Sequence, residues 1–110
     1  MRAVLGTAVL SVLASDDLHG YGIAERLAER GFGRPRGGSL YPLLAALEAD
    51  GAVSADWQPG TTGPGRRIYR LTPLGRTRLD REVRDWASLA AALSDSARIT
   101  SAQEVDHVQS

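Results

Sequence analysis

Apolar residues recur every three or four positions through the first half of the chain and every second position just after it. Val4, Leu5, Ala8, Val9, Val12 and Leu13 have helical spacing, which predicts a helix over 2–14 with one buried face. The polar run SDDLHG (15–20) interrupts it. A second helix is predicted over about 21–30, with Tyr21, Ala24, Leu27 and Ala28 on its apolar side and Gly31 where a C-terminal cap belongs. GFGRPRGG (31–38) has the composition of a turn. A third helix is expected to start at Ser39 as its N-cap, to pack Leu40, Leu43, Leu44 and Leu47, and to end at Gly51. Pro42 then falls in the first turn, where a missing amide hydrogen costs no helical bond.

After Gly51 the period changes to two. Val53, Ala55 and Trp57 alternate with Ser54 and Asp56, which predicts a strand half buried on one face. QPGTTGPG (58–65) reads as a loop, and RRIYRL (66–71) as the returning strand, with Tyr69 and Leu71 facing as Trp57 does. Thr72 followed by Pro73 is a cap-and-first-position signal for a last helix. Along that helix Leu79, Val83, Trp86, Ala90 and Leu93 form a short heptad seam, which needs a surface to cover it. The order is helix, helix, helix, strand, loop, strand, helix. It predicts a mainly α fold with a small β hairpin: a winged helix-turn-helix domain over 1–72, a dimerisation helix over 73–94, and a polar tail over 95–110 expected to be frayed or disordered.

Charge changes the picture more than composition does. The formal net charge is zero, yet residues 34–84 hold nine of the thirteen arginines against five acids, and there is no lysine. A local excess of arginine suits bidentate contacts to phosphate. The absence of cysteine excludes disulfides, thiol catalysis and the usual structural zinc sites. VLGTAVLSVLA (4–14) is preceded only by Arg2 and reads as an amphipathic helix rather than a signal core, so a cytoplasmic protein with no membrane partner is expected. His19 and His107 lack metal-site spacing and read as exposed or locally bonded. Asp16–Asp17 reads as turn chemistry, and GTTGPG has no P-loop spacing. No catalytic constellation is present, so neither an enzyme nor a cofactor is expected.

Two stretches point to nucleic acid. The front of the third helix offers free amides and the positive end of a helix dipole, with Gly38 allowing close approach, Ser39 and Tyr41 as donors, and Arg34 and Arg36 just upstream. The same stretch is equally well an ordinary capped core helix with an exposed tyrosine. The hairpin is stronger: Arg66, Arg67 and Arg70 follow a glycine-rich tip, an arrangement suited to a DNA backbone or minor groove, with a solvated charged strand as the common alternative. Trp86 reads first as a buried aromatic at a helix–helix contact and second as the wall of a pocket for a flat aromatic ligand. The rival to a DNA regulator is a winged-helix module that dimerises or docks on protein.

LHGYGIAERL (18–27), GSLYPLLAALEADG (38–51), GPGRRIYRLTPLG (63–75) and the tryptophan of REVRDWASL (81–89) together resemble the PadR family of bacterial transcriptional regulators, in its compact branch with one C-terminal helix. The resemblance spans roughly residues 3–93. It implies a homodimeric repressor that binds double-stranded operator DNA through its third helix and wing, with Ser39, Tyr41, Arg66 and Arg67 at matching positions. It also implies a dimer built on the last helix and, as in some compact members, a small aromatic effector against Trp86. The chain departs from the family pattern at Ala45 and Ala46, where basic residues are frequent, and at Gly65 and Arg67, where proline and lysine are usual. The alanines move the expected DNA contacts from mid-helix to Ser39, Tyr41 and the loop arginines, while Arg67 keeps the wing's charge.

Overall fold

The computed structural model describes residues 2–60 and 66–109, with side chains over 4–60 and 66–97. The hairpin tip, 61–65, and Ser110 lie outside the described residues. Seven elements follow one another: α1 (Arg2–Ser15), β1 (Leu18–His19), α2 (Gly20–Glu29), α3 (Gly37–Ala49), β2 (Val53–Gln58), β3 (Arg66–Leu71) and α4 (Pro73–Gln109). They divide into two compact units, Met1–Asp80 and Arg81–Ser110.

In the first unit the sheet is three-stranded and antiparallel in the order β1-β3-β2, rather than a hairpin alone. Val53 pairs with Leu71, Ala55 with Tyr69 and Trp57 with Arg67. Opposed residues share a face, so Trp57 does face as Tyr69 and Leu71 do. It remains largely exposed because it lies at the hairpin end of the ladder, beyond the core. The added strand, β1, pairs Leu18 with Tyr69 and His19 with Ile68. Two residues within a polar stretch are too few to show a period of two, so periodicity gives no sign of it.

The core gathers Ala8, Val9, Leu10, Val12 and Leu13 of α1 with Ile23, Ala24 and Leu27 of α2 and Leu40, Leu44 and Leu47 of α3. Ala52, Val53, Tyr69 and Leu79 complete it. Helix α1 is buried on more than the one face expected, because α2 and β3 both pack against it. On α2 the buried face is Gly20, Ile23, Ala24 and Leu27, while Tyr21 and Ala28 are exposed. Ile23 displaces Tyr21 from the core.

Helices α2 and α3 end alike. The Phe32 amide donates to the Leu27 carbonyl and the Gly31 amide to the Ala28 carbonyl; Ala52 and Gly51 repeat the pattern on Leu47 and Glu48. This is the Schellman termination, and it requires the left-handed backbone that Gly31 and Gly51 adopt, with φ of 88° and 78°.

Two helix boundaries differ from expectation. Helix α3 begins at Gly37 with Arg36 in the cap position and no side-chain cap, so Ser39 lies inside the first turn instead of capping it. Pro42 consequently sits in the second turn, and it has no amide hydrogen to give the Gly38 carbonyl. Helix α4 continues past Ser94 to Gln109, because no glycine or proline follows Gly75 to break it. It starts as predicted: the Gly75 amide donates to Thr72 Oγ1 at 2.9 Å, with Pro73 as the first helical residue.

Gly75 is buried against the turn that ends α3, and a Cβ there would overlap the Ala52 carbonyl. Backbone cannot swing aside as a flexible side chain can. Gly75→Ala is therefore expected to destabilise the fold by about 1–3 kcal/mol, read as a lower urea midpoint at unchanged slope. An unchanged midpoint would show that the close approach is not kept in solution.

Candidate functional site

Helix α2, the start of α3 and the wing end of β3 enclose an open cleft of about 570 Å³, lined by His19, Gly20, Tyr21, Tyr41, Ala45, Arg66, Arg67 and Tyr69. Its shape depends on one glycine. The Tyr41 ring lies across Gly20, where a Cβ would come within 2.6 Å of Tyr41 Cε1. Only a residue without a side chain lets the ring lie there, and Tyr41 remains half exposed as a result. Gly37 makes only ordinary contact with the same ring, and nothing lies within 4 Å of where a Gly38 Cβ would be. Neither glycine has a positive φ. The open space at Gly38 sits at a helix N-terminus that no side chain caps.

The arginines fall into two sets. Arg67 Nη2 makes two short contacts with Glu48 of α3, at 3.0 and 2.8 Å, and its guanidinium lies 5.6 Å from the Tyr69 ring. Arg70 reaches Asp17 at 3.4 Å and Asp56 at 3.6 Å. By contrast, Arg34, Arg36 and Arg66 have no carboxylate within ion-pair distance among the described residues. Arg34 stacks over Tyr21, 4.8 Å from the ring centroid, and Arg66 Nη1 approaches His19 Nε2 at 3.3 Å. Ser39 is exposed beside a second cleft, lined by Val4, Leu5, Ala8, Phe32 and Pro35 among others.

Thus Tyr41, Arg66 and Arg67 meet in one cleft, while Arg34 lines the second and touches the first only by stacking on Tyr21. Arg36 and Gly38 stand at the front of α3, Ser39 faces the second cleft, and Arg70 lies among acids. Sequence reasoning missed Glu48, which looks like any exposed helical acid, and the part played by His19. Histidine is an uncommon N-cap, yet its Nδ1 accepts the Gly22 amide at 3.1 Å and so caps α2.

The apolar residues of α4 also separate. Leu79 is buried in the core of the first unit. In the second unit Val83, Leu89 and Leu93 are exposed, Ala90 is exposed between them, and Trp86 is partly buried. Among the described residues no group of histidine, cysteine, aspartate or glutamate is placed to hold a metal ion, and no helix is long and apolar enough to cross a membrane.

The Arg67–Glu48 pair is partly solvated, so its contribution is modest. A double-mutant cycle with Arg67→Ala and Glu48→Ala is expected to give a coupling of about 0.5–1 kcal/mol, falling as salt is raised. Strict additivity would mean that the pair does not form in solution.

Residues 9–81 match the model of the transcriptional regulator PadR-like family. The chain is 37% identical over 89 residues to Transcriptional regulator Rv3488 of Mycobacterium tuberculosis, covering 81% of each protein. Among solved structures, a PadR-like transcription factor from Bacteroides fragilis superposes with a TM-score of 0.76 at 28% identity, covering 84% of this chain and 89% of that one. A Streptococcus transcriptional regulator does so with a TM-score of 0.74 at 29% identity, over 84% and 91%. The winged-helix fold, the length of the match and the regulators it matches agree: this is no enzyme, and the chain belongs to the PadR-like family of transcriptional regulators.

Proposed function

We propose that the protein is a sequence-specific DNA-binding repressor that acts as a homodimer in the cytoplasm. The observation that carries this reading is that Arg36 at an uncapped helix N-terminus, Arg34 stacked on Tyr21 and Arg66 in the cleft with the exposed Tyr41 all lack carboxylate partners among the described residues. Cationic side chains with no anion of their own, next to free amides, form a surface that a phosphate backbone completes. The N-terminal turn of α3 then enters the major groove, as a recognition helix does, and Tyr41 and Ser39 reach base edges or phosphates. Arg67 and Arg70 join this surface only by exchanging their present carboxylates for phosphates.

The exposed stripe Val83, Leu89, Ala90 and Leu93 of the second unit supports the homodimer, since such a stripe on a soluble helix calls for a partner surface. Leu79 contributes to this chain's own core instead. Two-fold pairing would set two recognition helices about 34 Å apart on a pseudo-palindromic operator. Trp86 lies within the stripe and is the side chain such a dimer offers to a flat aromatic effector. An effector that fits one helix separation better than another shifts the dimer between them.

Two measurements test this reading. In fluorescence anisotropy with DNA from upstream of the protein's own gene, Arg36→Ala is expected to weaken native and scrambled duplexes by the same factor. It should also reduce the salt slope by about 0.9 for each phosphate left without its arginine, while Arg67→Ala changes the slope less. Equal slopes for Arg36→Ala and wild type would remove Arg36 from the interface. In sedimentation equilibrium, Val83→Glu with Leu93→Glu is expected to convert a dimer to a folded monomer. A variant that stays dimeric would place the interface elsewhere.

A further inference from the structure

His19 uses both ring nitrogens, and the chain satisfies only one of them. Nδ1 lies 3.1 Å from the Gly22 amide, which can only donate, so Nδ1 carries no hydrogen. The hydrogen of the neutral ring is therefore on Nε2. Yet Nε2 faces Arg66 Nη1 at 3.3 Å, and a guanidinium is also only a donor. Exchanging the tautomer moves the conflict to Gly22 without removing it. Two donors thus converge at the mouth of the cleft with no acceptor between them, and among the described residues Arg66 has no carboxylate to fill that role.

We propose that His19 is a DNA-contacting residue, and that His19 Nε2–H and Arg66 together grip one oxygen of a backbone phosphate. The proposal rests on the DNA-binding reading above and adds a residue to it from α2's edge of the cleft. A phosphate oxygen accepts two hydrogen bonds at once, and its charge complements Arg66. The grip is preorganised. His19 is fixed by its cap on α2 and by the pairing of β1 with β3, and the same pairing fixes its distance from Arg66, two residues from the Ile68 that His19 opposes. Its stacked neighbour Tyr21, with ring centroids 6.4 Å apart, further limits the imidazole. His19 thereby joins two roles that sequence reading treats separately: it ends the strand that supports the wing, and it presents a donor to what the wing binds.

His19→Asn separates those roles. Asparagine is a strong N-cap and keeps the Gly22 bond, but it has no group at the Nε2 position. The variant is expected to melt as the wild type does and to bind both native and scrambled duplexes about tenfold more weakly, the loss of one hydrogen bond to a charged group. Its salt slope should be unchanged, because no charge is removed; Arg66→Ala should lower the slope by about 0.9 for each phosphate that Arg66 neutralises. In the Arg66→Ala background, His19→Asn should cost clearly less than in the wild type, because the Arg66 charge is what holds the phosphate oxygen against Nε2. Equal cost in both backgrounds, or no cost in either, would overturn the shared grip while leaving the DNA reading intact. A wild-type protein that binds neither duplex at low salt would overturn both.

Discussion

The wing is tied to the end of α3 and the start of α4 through Thr72. Its hydroxyl lies 2.6 Å from the Gly51 carbonyl and 3.0 Å from the Ala52 carbonyl, accepts the Gly75 amide, and its own amide donates to Ala52 at 3.1 Å. One side chain thus joins the turn that ends α3, the end of β3 and the start of α4. From this junction the ladder is counted outward, Val53 on Leu71 and then pair by pair to Gln58 on Arg66. A slip of one residue would send Arg67 to the face away from Glu48 and bring Arg66 to it. The junction also lies against Gly75, whose missing Cβ leaves room for the Ala52 carbonyl.

Given that register, the chain sorts its arginines by neighbour. Those on the wing strand that meet acids, Arg67 and Arg70, brace the hairpin against α3 and against the acids near β1 and on β2. Those at the front of α3 and at the first position of β3 meet aromatic rings or an imidazole, or, at the cap, have no carboxylate among the described residues. A protein with no net charge can therefore still leave particular arginines without carboxylates among the described residues, because its acids pair with others. The front of α3 fits this division. An uncapped N-terminus next to an open glycine is a poor device for stability and a good one for an incoming anion.

Much of this was legible in the amino-acid order. The leucines of α3, the Thr72–Pro73 start of α4, Gly31 and Gly51 as helix stops, and the shared face of Trp57, Tyr69 and Leu71 all follow from period and cap chemistry. The errors have physical reasons. Ser39 is a strong N-cap type, but the helix extends back through the Gly37–Gly38 pair to Arg36, and local preference gives way. Tyr21 has the spacing of a core residue, but Ile23 takes that place. Leu79 fits the heptad, yet it lies near the start of α4, where the core claims it. The pairing of Arg67 with Glu48 and the position of His19 beside Arg66 join residues 19 and 47 positions apart, and no local pattern encodes such distances.

The central claim is that the front of α3 and the wing form one DNA-binding face. Amide hydrogen exchange of the protein, free and bound to the duplex from upstream of its gene, tests it most directly. The account predicts slowed exchange on DNA binding over residues 34–41 and 66–70, with little change over 83–97. Protection confined to the last helix, or to α1, would contradict it.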